Sequence, residues 1–180
     1  MRRIVGGLLA MSLVGLLLPA PAAAVDPREL LPTPDPEFLP AFDSSTNEGY
    51  CTGFDAVVTY TQFNQFIVRQ TTAADGTVTL KIAGGAKATV TNQTTGESVS
   101  YNISGPGTIV INPDGSFSID AAGPNLLWTE QRNLLDFPEV PAISHTTGHV
   151  TLFVDASGQT TSYNLAGGAR QTDVCAVLAS

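Results

Sequence analysis

From Cys51 onward the apolar side chains follow a period of two, and that period excludes most folds at once. Val78, Leu80 and Ile82 alternate with Thr77, Thr79 and Lys81, and Val99, Tyr101 and Ile103 alternate with Ser98, Ser100 and Asn102. Ile109 and Ile111 precede Phe117 and Ile119, while Val150, Leu152 and Val154 alternate with Thr151 and Phe153. A strand sends successive side chains to opposite faces, so the pattern marks strands with one buried face. The abundant threonines suit the same pleated surface because they are branched at Cβ. Outside the first 24 residues no segment keeps helical spacing. The pattern predicts strands over 54–61, 65–71, 77–83, 86–92, 97–104, 107–111, 115–121, 148–155 and 160–167, with a short one around 126–129.

Turn residues punctuate these runs at the spacing of an all-β domain. Gly84-Gly85 is suited to a two-residue hairpin between two runs. Asn112-Pro113-Asp114-Gly115 places proline and glycine where a tight turn wants them, and Asp75-Gly76, Thr95-Gly96 and Ser157-Gly158 do similar work. Ser100-Tyr101-Asn102-Ile103-Ser104-Gly105 echoes Ser162-Tyr163-Asn164-Leu165-Ala166-Gly167, which reads as an old hairpin duplication or as two similar edges.

The first 49 residues are of another kind. Arg2 and Arg3, an apolar run over 4–18 and Ala22-Ala23-Ala24 compose a secretory signal ending at residue 24. Its apolar run would cover about 22 Å of a bilayer core roughly 30 Å thick, too short for a permanent anchor. Residues 25–49 form a leader in which Pro27, Pro32, Pro34, Pro36 and Pro40 favour extended chain. A tether is the simpler reading of that leader; the other is a clasp, with Phe38, Leu39 and Phe42 folded back over the domain. Residues 50–178 form a single β domain.

In an exported chain, one cysteine before the first long strand and one after the last read most simply as a disulfide, Cys51–Cys175. Its closure requires the two ends of the domain to meet within about 7 Å. A closed antiparallel β-barrel of about 8–10 strands does this directly, so the barrel is the expected architecture and a two-layer β-sandwich the alternative. Two cysteines are too few for a four-thiolate zinc site, and no CxxC spacing supports redox chemistry.

Eight basic and sixteen acidic side chains give a net charge of −8, and loss of Arg2 and Arg3 with the signal lowers it to −10. Such a surface repels anionic polymers, so no nucleic-acid partner is expected. After signal cleavage no remaining run is long enough to hold the chain in a membrane.

The elements Cys51-Thr52-Gly53-Phe54-Asp55, Val90-Thr91-Asn92-Gln93-Thr94-Thr95-Gly96, Ile103-Ser104-Gly105-Pro106-Gly107 and Asp173-Val174-Cys175 resemble those of small exported β proteins from high-GC Gram-positive bacteria. That group carries no assigned activity, so the resemblance implies a compartment and a β fold and transfers no catalytic residue. In a bacterial host, Asn92-Gln93-Thr94 and Asn102-Ile103-Ser104, which match the glycosylation pattern, read as ordinary strand and turn residues.

Chemistry is expected in the irregular stretch 123–149, which interrupts the hairpins with a long connection. It holds the only tryptophan, Trp128, both histidines, and Glu130, Arg132, Asp136 and Glu139. Trp128 reads as a core or mouth plug, or as an aromatic wall for a ligand. Glu130 and Arg132, two apart, read as a surface ion pair. His145 and His149 have the spacing of a helical metal pair, with Asp136 or Glu139 as third ligand, but Thr-Thr-Gly between them argues against a helix. No nucleophile elbow and no phosphate loop is present, and no metal or cofactor is expected. Two functions follow. One is a secreted binding or envelope-associated module that takes a small apolar molecule, a glycan or a protein at its mouth, with Trp128, Glu130, Arg132, His145 and His149 as candidate contacts. The other is a secreted hydrolase or cyclase-like barrel enzyme that uses the 123–149 stretch.

Overall fold

The computed structural model describes residues 30–180; the signal segment and residues 25–29 of the leader lie outside the described residues. The described residues are all-β, with antiparallel pairing throughout and one short α-helix at the end. Strands β1 (Glu37–Leu39), β2 (Ala56–Thr72), β3 (Val78–Asn92), β4 (Ser98–Asn102), β5 (Gly107–Ile111) and β6 (Phe117–Ala122) are followed by β7 (Asn125–Trp128). Then come a 3₁₀ turn (Gln131–Leu134), β8 (Ile143–Thr147), β9 (His149–Val154), β10 (Thr160–Leu165), β11 (Arg170–Asp173) and helix α1 (Val174–Leu178). One sheet runs β1-β2-β3-β5-β6-β9-β10, with β4 also paired to β3, and a second runs β11-β8-β7.

Among the described residues no sheet closes, so the expected barrel is not formed and the two sheets fit the sandwich alternative better. The reason is local to three places where a strand leaves one sheet and enters the other. β6 passes into β7, β8 into β9, and β10 into β11, each through a break of one to four residues at the same level. At that level the Gly123 amide donates to the Gly148 carbonyl (2.7 Å) and the Ala166 amide to the His149 carbonyl (3.0 Å). Gly148 makes the step possible: its φ is +102°, and a Cβ there would lie 2.8 Å from the Ala169 Cα. Cys51 and Cys175 do meet, as expected, in a disulfide with 5.3 Å between Cα atoms. They meet because β11 delivers α1 from the second sheet to the end of β3, where Asn92 Nδ2 donates to the Leu178 carbonyl (3.1 Å), and to Cys51 before β2, not because a ring of hairpins closes.

The two runs expected over 54–61 and 65–71 are one strand of 17 residues. A β-bulge at Thr61 inserts an extra residue, Tyr60 facing Ala88 and Gln62 facing Lys87. The insertion shifts the phase by one, which puts Ala56, Val58 and Tyr60 on the same face as Phe63, Gln65 and Ile67. A second bulge at Val68 repeats the device. Gly84-Gly85, expected as a hairpin turn, lies inside β3, which runs unbroken for 15 residues. Gly84 has φ +127°, and a Cβ on it would sit 2.2 Å from the Asn64 carbonyl oxygen of β2. The glycine thus serves a close approach of two backbones rather than a reversal. The turns at 75–76, 95–96, 112–115 and 157–158 are as expected; Gly115, for example, donates to the Asn112 carbonyl (3.0 Å).

β3 changes partner along its length, pairing with β5 over 78–82 and with β4 over 87–91. The long β2–β3 hairpin therefore serves two cores. One gathers Leu39, Val58, Val90, Trp128, Ile143 and Val174 between the two sheets. The other gathers Ile67, Leu80, Ile109, Ile119, Leu152 and Val154, all from the large sheet curling on itself. The leader takes its fold-back form rather than that of a tether: β1 pairs with β2, Leu39 is buried, and the Leu31 amide donates to the Gln65 carbonyl (2.8 Å). Phe38 of the expected clasp faces outward and is exposed.

Candidate functional site

The void between the two cores has a cause in the sequence. Two rows of paired residues cross the inner face of the large sheet. One reads Leu80, Ile109, Ile119, Leu152, Tyr163, all with large side chains. The next reads Ile82, Gly107, Ala121, Val150, Leu165. Gly107 and Ala121 leave room where their neighbours have large side chains, and a cavity of about 320 Å³ opens there. At roughly 30 Å³ per water, this holds about ten waters or a ligand of about ten heavy atoms.

Its walls come from four parts of the chain. β2 contributes Tyr60, Phe63 and Gln65; the strands beyond it contribute Ile82, Ile109 and Ile119. The second sheet contributes Asn125 and the run Leu126, Leu127 and Trp128, and the leader contributes residues 31–35. Tyr60 and Phe63, brought to one face by the bulge, pack edge to face with ring centroids 5.5 Å apart. Burial, and next the negative charge of Glu37, push the Tyr60 phenol up to about 12. Gln65 is buried, with 8% of its surface exposed, and its Nε2 donates to the Ile103 carbonyl (3.3 Å). Asn125 Nδ2 donates to the Gly123 carbonyl (3.1 Å). Among the described residues neither lysine nor arginine lines the cavity, and Asp35 is the one charged residue there.

Of the residues singled out from sequence, Trp128 alone lines this cavity. It is a core side chain at 6% exposure that also lines the cavity. Its indole N–H is buried and has no hydrogen-bond acceptor in the protein. Glu130 and Arg132 form an ion pair at 2.5 Å, and Arg132 Nη1 also donates to Glu48 (2.6 Å). That triad ties the 43–48 turn to the 3₁₀ segment rather than facing the void. The stretch 123–149 is itself only partly irregular, since β7 and β8 occupy much of it and bury Ile143, Ser144 and Thr146.

The histidines do not converge. His145 stacks on Tyr101, ring centroids 4.3 Å apart, with Nε2 3.3 Å from the Asn102 carbonyl. His149 lies on an outward face, exposed, with Nε2 2.8 Å from Asp120 Oδ1. Asp136 and Glu139 are exposed, and among the described residues no group of three His, Cys, Asp or Glu is arranged to hold a metal ion.

Sequence reasoning missed Tyr60, Phe63 and Gln65, which the strand pattern hid, and also missed the small pair Gly107 and Ala121. A signal was present in the pair: two small residues at inward positions of strands otherwise rich in isoleucine and valine. No helix among the described residues is long and apolar enough to cross a membrane. No protein-family model, curated protein or solved structure matches the chain, so its function has to be read from the cavity and its walls.

Proposed function

We propose that this protein is an exported, non-catalytic binding module whose waist cavity holds a small, mainly apolar molecule. One observation carries the reading: a void of about 320 Å³ walled by aromatic and aliphatic side chains with a few neutral polar groups among them. Ligand sites are of this kind, concave and apolar with sparse polar groups, while well-packed cores leave few voids larger than a water. The secretory signal at 1–24 and the Cys51–Cys175 disulfide support an oxidising compartment outside the cytoplasm. The resemblance to exported β proteins of high-GC Gram-positive bacteria agrees with that placement. A concave, mainly apolar space suits a small apolar molecule better than a glycan, whose hydroxyls would each need a partner there.

The test fills the void. Ala121→Ile replaces the missing side chain with one its own row already uses. Titration with a lipophilic fluorescent dye should give saturable binding to the parent protein and none to the variant, with Tm unchanged or raised. Equal binding by both proteins places the dye elsewhere and refutes the reading.

A further inference from the structure

We propose, resting on the cavity reading above, that the ligand is an uncharged amphiphile: an apolar chain or ring system of about ten heavy atoms ending in a hydroxyl, ester or carbonyl that hydrogen-bonds Gln65. Gln65 is the buried polar group of the cavity wall that burial alone does not explain. A carboxamide has two donors and an acceptor with two lone pairs. Here one N–H is used, on the Ile103 carbonyl, and among the described residues the oxygen and the other N–H have no partner. The oxygen is not sealed from solvent, so on this cavity-lining side chain it is a free acceptor that an entering molecule can meet in place of water. The Tyr60 hydroxyl, on the same face of β2 and lining the same cavity, is a second polar group within reach of such a molecule.

Charge decides between classes of amphiphile. A carboxylate or phosphate taken into this space would lose part of its hydration and meet no lysine or arginine among the described wall residues. It would meet negative charge instead, from Asp35 in the wall and from Glu37, whose field reaches the Tyr60 phenol. Fatty acids and other lipid anions are therefore disfavoured against a neutral alcohol, ester or ketone.

Trp128 is the only tryptophan and lines the cavity, so its fluorescence reports occupancy without a label. The disulfide-bonded protein is titrated at pH 8 with 1-decanol, methyl decanoate, decanoate and decane. Decanol and methyl decanoate should saturate the fluorescence change, with decanoate at least tenfold weaker. Gln65→Leu should weaken decanol about tenfold and leave decane unchanged, since one hydrogen bond is lost and no apolar contact. Tyr60→Phe, which removes a single oxygen, provides the same contrast if Gln65→Leu does not fold. Decanoate binding as tightly as decanol overturns the inference while leaving the cavity reading standing. Equal losses for decanol and decane in both variants also overturn it, because the side chains would then act by packing alone. Failure of all four probes to bind refutes the cavity reading itself, and the inference with it.

Discussion

The two cores of this molecule are built from one hairpin, yet they are packed differently. In the core between the sheets, Ala56, Val58, Ala88, Val90, Ile143 and Val174 have no exposed surface at all, while Ile103, Leu126 and Trp128, which line the cavity, keep 6–9%. In the core of the curled sheet no residue reaches zero: Val150, Val154 and Ala121 keep 1–4%, and Ile67, Leu80, Ile82, Ile109, Ile119 and Leu152 keep 5–9%. The first is closed by a layer on each side, by α1 and by a disulfide. The second has one sheet bent round itself, with Leu31 of the leader and Leu127 laid against it. A single curved layer cannot interdigitate with an opposite layer, so it leaves the space that two packed sheets remove. Rigidity has been concentrated in one half, and the room for a ligand left at the edge of the other.

The largest test of that contrast is removal of the clip. A loop of 124 residues places the entropic stabilisation near 5 kcal/mol, an upper figure that residual structure in the unfolded chain lowers. Cys51→Ser/Cys175→Ser should lower stability in urea by several kcal/mol. Hydrogen exchange should accelerate first at α1 and β8, which the clip holds, and later at β5 and β6. Earlier loss of protection in β5 and β6 would mean the curled sheet, not the clip, sets global stability.

A pair of truncations sharpens the same comparison. Ile143→Ala deletes a fully enclosed side chain and should cost about 4 kcal/mol. Ile109→Ala, beside an existing void, removes contacts already incomplete on one side and should cost about 2 kcal/mol. Equal costs measured by chemical denaturation would show the two cores to be equally tight. At the waist between them, Gly84→Ala forces a Cβ onto the Asn64 carbonyl at a φ of +127° and should cost about 2–3 kcal/mol.

How the sequence foreshadowed this differs between the halves. Alternation carries through β3 without a break: positions 80, 82, 86, 88, 90 and 92 are all buried, with Gly84 in phase. The period therefore already argued against a turn at 84–85, and the composition of the glycine pair misled. β2 was split in two because a bulge changes the phase of a pattern without ending the strand. β8 and β11 were invisible for a different reason. In β8 the inward side chains include Ser144 and Thr146, and Arg170-Gln171-Thr172-Asp173 buries nothing, so only backbone pairing makes these residues strands. The disulfide was legible from two positions, but the ring drawn from it was not, because strands that cross between sheets also bring chain ends together. The cavity is hardest of all to read, since it consists of side chains that are absent, and Gly107 meets Ala121 only through the pairing of β5 with β6.

Alkaline titration separates the halves by solvent access. Burial raises Tyr50, Tyr60, Tyr101 and Tyr163, with Tyr60 and Tyr163 at about 12. A phenol whose folded pKa exceeds its unfolded value of 10 stabilises the fold fully below pH 10, and that contribution is lost as pH rises through 12. Phenolate absorbance should therefore stay low at pH 10 and rise together with unfolding near pH 12. With the cavity filled by a neutral ligand, the Tyr60 step should move higher still. Normal ionisation near pH 10 in the folded protein would show that water reaches these rings freely.

The smallest effect lies on the outside of the tight half, where Arg132 joins Glu48 to Glu130. Its side chain is 33% exposed and Glu48 is 53% exposed, so water screens most of the attraction. Pairs of this kind contribute under about 1 kcal/mol. Arg132→Gln should cost no more than that, and molar salt should erase the difference from the parent protein because it screens charges at about 3 Å. The turn at 43–48 has its own backbone bridge, Asp43 to Glu48, and Asp43 also accepts from the Ser45 amide (2.8 Å). Loss of Arg132 should thus leave the turn formed and loosen only its attachment. A cost of several kcal/mol that persists in salt would assign this triad a structural weight like that of the disulfide, and the tight half would then owe its closure to charge as well as to packing.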